Sequence, residues 1–304
     1  MRVQRLRLQS LLLALTLLLG RAPLAAQAEE ARLPVVASFS ILADFVRQIG
    51  GDKVEVEALV GPNGDVHVYE PSPADARSLA KAKLIVVNGL ALEGWMSRLI
   101  EASGAKAPVI VATKGVTPRQ GEEDGKIGVD PHAWQNVANA KIYVANILDG
   151  LVAADPADAD YFQARAKAYD LTLDETEKNV RATIAAIPPE RRMIITTHDA
   201  FGYFGAAYGF TFIAPEGLST ESEPSARDVA RLIAQIRRDH APAVFLENIS
   251  DPRLMSRIAK ESGAKTGGAL FSDSLSPPNG PAATYIAMMN HNIVELKKAL
   301  APNS

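Results

Sequence analysis

Short apolar runs alternate with amphipathic stretches along almost the whole chain, and this alternation limits its possible folds more than any other feature. Apolar runs of strand length that are separated by helical patterns predict α/β units on mostly parallel sheets. The runs fall into two groups, 35–37, 54–60, 84–87 and 109–112 in the first half, and 193–197, 210–213, 244–246 and 266–271 in the second. The sequence therefore predicts an α/β fold with two similar lobes. It shows no short-period repeat, which argues against a solenoid or a propeller.

A stretch of about 30 residues without glycine or proline, 157–187, separates the two groups of runs. It predicts one long, rigid helix that joins the lobes, with Asp155 as the N-cap and Pro156 at the first helical position. At 1.5 Å per residue, such a helix would be about 45 Å long. The predicted boundaries are a first lobe at 29–154, the linking helix at 155–189 and a second lobe at 190–304.

The N-terminus has the pattern of a cleavable secretory signal peptide, predicted at 1–28. Arg2, Arg5 and Arg7 precede an apolar run at 11–19, and the small residues at 26–28 form a cleavage site. The run is about half of the ~20 residues that a helix needs to cross a bilayer, and no later apolar segment reaches that length. We therefore expect a soluble mature protein.

Composition restricts the compartment and the partners. The chain has no cysteine, so neither a disulfide framework nor a lipid-bearing cysteine is available, and we expect a free periplasmic protein. Loss of 1–28 removes four arginines and no acid, which changes the formal net charge from −3 to −7. A mildly acidic chain without a basic tract argues against nucleic-acid binding.

Three histidines and one aspartate follow apolar runs, in segments rich in polar residues, glycine or proline: His67, His132, His198 and Asp273. Loops beyond the carboxyl ends of parallel strands line the ligand crevice of α/β proteins, so these side chains could converge in the cleft between the lobes. Three imidazoles and a carboxylate suit a tetrahedral zinc ion or a similar divalent ion. Spacing alone leaves open that each histidine is an ordinary surface or core residue. His240 and His291, which lie in predicted helices, fit that second interpretation.

Six short motifs in a fixed order carry a resemblance to a known family. They are DVHVYEP at 65–71, DPHAW at 130–134, THDAFGYF at 197–204, ESEPS at 221–225, EN at 247–248 and FSDS at 271–274. Together they resemble the periplasmic zinc and manganese solute-binding proteins of ABC importers. The resemblance implies that His67, His132, His198 and Asp273 bind the metal, and that the protein delivers it to a membrane permease.

Several acidic residues near these motifs are candidates for orienting the ligands, because a metal-binding histidine usually has its other ring nitrogen held by a carboxylate, carbonyl or water. The candidates are Asp65, Asp130, Glu221, Glu223 and Glu247. Each could instead be an ordinary solvated acid, and Glu223 could simply begin a helix.

The residue at position 198 favours zinc over manganese. Members of the family that prefer manganese tend to have glutamate where this chain has His198, and imidazole suits zinc better than it suits manganese. Manganese remains the alternative cargo. Many zinc-uptake relatives also carry a histidine-rich loop in the first lobe, but the corresponding segment here, 120–125, contains no histidine.

Two other classes of function are weaker alternatives. An exported zinc hydrolase would keep an open coordination position, whereas four protein ligands fill the shell, and the sequence has neither an HExxH helix nor a GxSxG elbow. An adhesin could use the same fold. We therefore expect a monomeric binding protein rather than an enzyme, with an ABC permease as its partner and a periplasmic metallochaperone as a second candidate partner.

Overall fold

Two four-stranded parallel sheets form the framework of the protein, for which a computed structural model describes residues 31–123 and 125–301. The predicted signal peptide, 1–28, lies outside the described residues. The two sheets confirm the predicted α/β fold with two lobes and mostly parallel strands.

The first lobe is built on a sheet in the order β2-β1-β3-β4. Strand β1 is paired in parallel with both β2 and β3, and its central residues are buried. A short antiparallel hairpin, β5–β6, follows the sheet. The strands are β1 (Leu33–Phe39), β2 (Val54–Val60), β3 (Leu84–Val87), β4 (Val109–Val111), β5 (Arg119–Glu123) and β6 (Lys126–Asp130), and the helices are α1 (Ser40–Gly50), α2 (Pro73–Lys81), α3 (Met96–Ser103) and α4 (Val137–Ala154).

Helix α4 is the one helix within the described ranges that is long and apolar enough to cross a membrane, judged by length and composition. Its buried side chains include Tyr143, Ile147 and Leu151, and the helix packs on strands β3 and β4 and on helix α1. A core helix passes the same test, and the packing of α4 is that of a core helix.

The long connecting helix, α5, is shorter than the sequence predicts and runs over Ala159–Ile184. Residues Pro156–Asp158 form a 3₁₀ turn first, with Asp155 at its N-cap position and Pro156 at its first position. The Asp155 side chain makes no capping hydrogen bond, and the α-helix itself begins only at Ala159. At its other end, the Arg192 guanidinium donates hydrogen bonds to the carbonyl oxygens of Ile184, at 3.1 Å, and Ile187, at 2.8 Å. This side chain satisfies carbonyls that the end of a helix leaves without partners.

One face of α5 packs on the lobes, because its apolar residues recur at three- and four-residue spacing. Phe162, Tyr169, Leu173 and Val180 are buried along that face, against α4 and α1. The 26 residues of α5 span about 39 Å at 1.5 Å each.

The second lobe has a sheet in the order β10-β9-β7-β8. Its strands are β7 (Met193–Ile195), β8 (Thr211–Ile213), β9 (Ala243–Glu247) and β10 (Lys265–Leu270), and its helices are α6 (Gly202–Tyr208), α7 (Ala226–Asp239), α8 (Pro252–Ser262) and α9 (Tyr285–Leu300). Helix α9 packs both on β10 and on α5. Helix α9 therefore connects the second sheet to the linking helix, and one buried apolar cluster contains residues of both lobes.

Candidate metal centre

The four predicted ligands meet in one buried group. His67 lies in the loop after β2, His198 follows β7 and Asp273 follows β10, whereas His132 follows hairpin strand β6. Their candidate ligand atoms all lie within 4.8 Å of one another. Each lobe contributes two ligands, so the site lies in the cleft between the lobes.

The distances within the group fit one metal ion. The Nε2 atoms of His67 and His198 lie 3.1 and 3.0 Å from Oδ2 of Asp273. Nε2 of His132 lies 3.3 Å from that of His67 and 3.7 Å from Oδ1 of Asp273. Ligands about 2.05 Å from a tetrahedral zinc ion are separated by about 3.3 Å, so these four side chains need little rearrangement to coordinate zinc.

Asp130 orients His132. Its Oδ1 accepts a hydrogen bond from the backbone N–H of His132 and lies 2.9 Å from Nδ1 of the same residue. This carboxylate sets the direction of the ring and leaves Nε2 facing the other ligands. The other oxygen, Oδ2, lies 3.9 Å from Nε of Arg119 on β5.

Glu247, at the end of β9, supports His198 in a similar way. Its Oε1 accepts hydrogen bonds from the backbone N–H groups of Thr197, at 2.7 Å, and His198, at 3.0 Å. Its Oε2 lies 2.7 Å from Nδ1 of His198, which is ion-pair distance, although the two atoms are not aligned as a hydrogen bond. A small rotation of the His198 ring would align the pair as a hydrogen bond.

Asp65 acts on the backbone of His67. Its Oδ1 accepts a hydrogen bond from the His67 N–H at 2.9 Å, and its Oδ2 accepts one from Oγ1 of Thr220 at 2.6 Å. Among the described residues, no hydrogen bond joins the carboxylate of Glu221 or Glu223 to a ligand histidine, and both side chains are exposed. The structure thus brings three of the five candidate acids to the ligands and leaves Glu221 and Glu223 at the surface.

The charges within the group reinforce one another. Burial opposes the charged form of His132, but Asp273 and Asp130 outweigh it and raise the pKa of His132 to about 9. His198 behaves alike, because Glu247 and Asp273 outweigh burial and raise its pKa well above the usual value. Burial would raise the pKa of Asp273, but the two imidazoles lower it well below its usual range. A metal cation bound to this group would therefore compete with protons for the same imidazoles.

A second contact between the lobes fixes the peptide that carries Asp273. Nε1 of Trp134 and Nε2 of Gln135 donate hydrogen bonds, at 2.9 and 2.8 Å, to the carbonyl oxygen of Ser272. Trp134 and Gln135 belong to the 3₁₀ turn that directly follows His132. The positions of His132 and Asp273 are therefore linked through buried hydrogen bonds.

Sequence reasoning did not identify Gln135, Thr220 or Glu216 as part of the site. Burial raises the pKa of Glu216 to about 7, against the lowering effect of His198 and with support from Glu247. These residues lie in no motif that points to a metal ligand, and no feature of the sequence places them beside the histidines.

The remaining two histidines lie away from the ligand group. His240 has a left-handed backbone, φ 52°, at the carboxyl end of α7. His291 lies on α9, and its Nε2 is 2.9 Å from the carbonyl oxygen of Ala269.

Comparisons with known proteins agree with this geometry. Residues 35–299 match the model of the ZnuA family, zinc-uptake complex component A, periplasmic. The iron-binding protein YfeA of Yersinia pestis is 34% identical over 88% of this chain and 86% of its own. The manganese-binding lipoprotein MntA of Halalkalibacterium halodurans is 35% identical over 86% of each chain.

Solved structures show the same fold. The periplasmic zinc binding protein TroA of Treponema pallidum superposes with a TM-score of 0.84 at 31% identity, covering 89% of this chain and all of the other. The chain therefore belongs to the zinc-uptake complex component A family, the metal-binding solute-binding proteins of ABC importers.

Proposed function

We propose that this protein captures a zinc ion outside the cytoplasmic membrane and presents it to the permease of an ABC importer. The observation that carries the proposal is the group of His67, His132, His198 and Asp273, whose ligand atoms lie within 4.8 Å of one another between the lobes. Its three imidazoles and one carboxylate match the ligand types and the coordination number that zinc prefers.

Zinc ranks before manganese because of the donor set. Manganese is best served by carboxylate, carbonyl and water oxygens, whereas three of the four donors here are nitrogens. The relatives nevertheless carry iron, manganese and zinc names, so manganese is the alternative cargo. Four protein ligands leave no coordination position for a reacting water, which supports a binding role rather than a catalytic one.

The location and the partners follow from the same role. The chain has no cysteine that could carry a lipid, unlike relatives named lipoproteins, so we propose a free periplasmic protein. A membrane permease is the partner that an importer requires, and we expect the binding protein to act as a monomer. A periplasmic metallochaperone that loads the site stays a prediction.

The direct test is elemental analysis of protein purified from the periplasm without added metal, combined with competitive titration of the metal-free protein by zinc and manganese. We expect about one zinc per chain, the capacity of a single four-ligand site, and a strong preference for zinc. Manganese retained in place of zinc would overturn the metal assignment but keep the importer role. No stoichiometric metal from either measurement would refute the proposal.

Two histidine variants make the test specific. His198→Ala removes a ligand that is fully buried and should weaken zinc binding by orders of magnitude. His291→Ala is the matched control, because its ring lies on α9, outside the ligand group, and it should leave affinity unchanged. Equal losses in the two variants would show that the ligand assignment is wrong.

A further inference from the structure

A short segment of the second lobe, Glu216–Thr220, crosses the cleft beside the metal centre; we name it the clasp. Within its own lobe, it is held by the residues on either side of His198. The N–H of Asp199 donates a hydrogen bond to the carbonyl oxygen of Gly217 at 2.9 Å. The N–H of Glu216 donates one to the carbonyl oxygen of Thr197 at 3.3 Å. One end of the clasp is therefore fixed to the strand end that carries a ligand.

The other end of the clasp is fixed to the first lobe through two carboxylates. The N–H of Ser219 donates to Oε2 of Glu123 at 2.8 Å, and Oγ1 of Thr220 donates to Oδ2 of Asp65 at 2.6 Å. Asp65 in turn holds the backbone of His67. The clasp thus connects the flanks of one ligand to the loop that positions another.

A single apolar side chain, Leu218, anchors the middle of the clasp. It is only 5% exposed, yet it belongs to neither of the two buried apolar clusters of the described chain. It lies against the β5–β6 hairpin at Gly121 and Gly128, which are paired across the hairpin. A Cβ atom at Gly121 would lie 2.6 Å from Cδ2 of Leu218, so the missing side chain is what makes room for the leucine.

Of the two predicted ligands that the clasp connects, His67 is the one that solvent reaches. His67 is 8% exposed, whereas His132, His198 and Asp273 are each fully buried. The group therefore meets solvent at His67, and the Thr220–Asp65 hydrogen bond lies on the loop of that residue.

We propose that the clasp gates the metal site, and that packing of Leu218 against Gly121 and Gly128 of the hairpin keeps it closed. This inference rests on the proposed function, since it takes the ion to bind between the lobes. The clasp supplies none of the four ligand atoms, so its opening should change the rates of binding and release more than the equilibrium affinity. The gate would set how long a bound ion stays.

Two substitutions open the clasp from opposite sides, and a third is the matched control. Leu218→Ala removes most of the anchor, and Gly121→Ala places a methyl group where the leucine packs. Gly128→Ala adds the same methyl group to the paired position, where its Cβ would lie at an ordinary contact distance of 3.5 Å from Leu218. None of the three residues contributes a ligand atom.

The experiment measures zinc release by stopped-flow mixing with a chelator, and zinc affinity by competitive titration, for the wild type and the three variants. We expect release to accelerate about tenfold or more in Leu218→Ala and Gly121→Ala, because burial of a leucine side chain holds the gate closed. Their affinity should change less than about threefold, and Gly128→Ala should behave as the wild type. Unchanged release rates would overturn the proposal. A loss of affinity that matches the faster release, with unchanged association, would also overturn it, because the clasp would then position ligands rather than gate the site.

Amide hydrogen exchange tests the clasp without any metal. In metal-free protein, exchange of the Ser219 N–H should accelerate in Leu218→Ala and Gly121→Ala but not in Gly128→Ala, because its hydrogen bond to Glu123 would form less of the time. If the wild type binds no metal while this exchange pattern appears, the proposed function fails and the clasp is still shown to open. If metal binds and the pattern does not appear, the clasp proposal alone fails.

Discussion

The pH dependence of zinc affinity distinguishes this site from a set of ordinary histidines. Zinc binds neutral imidazole, so each protonated ring must lose its proton as the ion binds. With Asp273 and Asp130 raising the pKa of His132 to about 9, this ring is protonated at neutral pH before the ion arrives. From pH 7 to pH 8, zinc affinity should therefore rise about tenfold from this residue alone, the limit of one proton released per ion. An unperturbed histidine, with a pKa of about 6.5, would give less than a twofold change over the same interval.

The other ionisable ligands strengthen the effect. The pKa of His198 is also raised, so its proton adds to the number that zinc displaces. Asp273, whose pKa lies well below its usual range, stays ionised throughout and contributes no opposing change. Affinity should thus keep rising above pH 6.5, about the pH at which an unperturbed histidine titrates.

Two measurements check this prediction. Competitive titration at pH 7, 8 and 9 gives the slope, and calorimetry in buffers of different ionisation enthalpy gives the number of protons released. Asp130→Asn should reduce the slope between pH 7 and 8, because it removes one of the carboxylates that raise the pKa of His132. An affinity that changes less than twofold between pH 7 and 8, with no proton release, would refute the reasoning.

The raised pKa of His132 also makes the stability of the metal-free fold depend on pH. A histidine whose pKa is raised on folding stabilises the native protein below its unfolded pKa, about 6.5, and that stability is lost as pH rises through the folded value, about 9. The pKa shift of His132 contributes on the order of 3 kcal/mol to the free energy of unfolding at low pH. The melting temperature of metal-free protein should therefore fall by several degrees between pH 6.5 and 9, and a constant melting temperature would contradict the assigned pKa.

Two further substitutions separate ligand orientation from stability. Glu247→Gln should weaken zinc binding by about 10- to 100-fold, because it replaces the carboxylate beside the His198 ring. Competitive titration measures this loss, and unchanged affinity would show that the carboxylate does not orient the ring. Asp44→Ala should lower the free energy of unfolding by about 1–3 kcal/mol, because the buried Tyr285 N–H loses its acceptor. Denaturant unfolding measures this loss of stability, and competitive titration should show unchanged zinc affinity. A matching loss of affinity would show that Asp44 affects the metal site as well as stability.

Sequence predicted the parts of the site that depend on motif and residue type. The motifs around His67, His132 and His198, and a fourth around Asp273, predicted the four side chains that the structure brings into one group. The spacing that identifies Asp130 two residues before His132 is local, so a single turn brings the carboxylate to the ring. For such residues, the sequence neighbourhood and the spatial neighbourhood are the same.

Contacts between distant segments could not be predicted in this way. Glu247 is a candidate from its motif, but its pairing with His198 depends on β9 and β7 being neighbours in the sheet. Thr220 reaches Asp65 across the two lobes. Glu221, one residue further along, is exposed instead, since only the fold decides which acid faces the cleft. The same limit applies to the end of α5, where Arg192 provides hydrogen bonds that no pattern within the helix reveals.

The two sides of the cleft differ in how the lobes are held together, and this difference suggests where the site opens. On the side of His132 and Asp273, Trp134 and Gln135 donate buried hydrogen bonds to the Ser272 carbonyl oxygen. Breaking them would leave buried polar groups without partners, at about 1–3 kcal/mol each. On the side of His67, the clasp is held to the first lobe by two partly buried hydrogen bonds and one leucine. Water can replace those bonds when the clasp moves, so opening on the His67 side costs less than separating the lobes along their whole length.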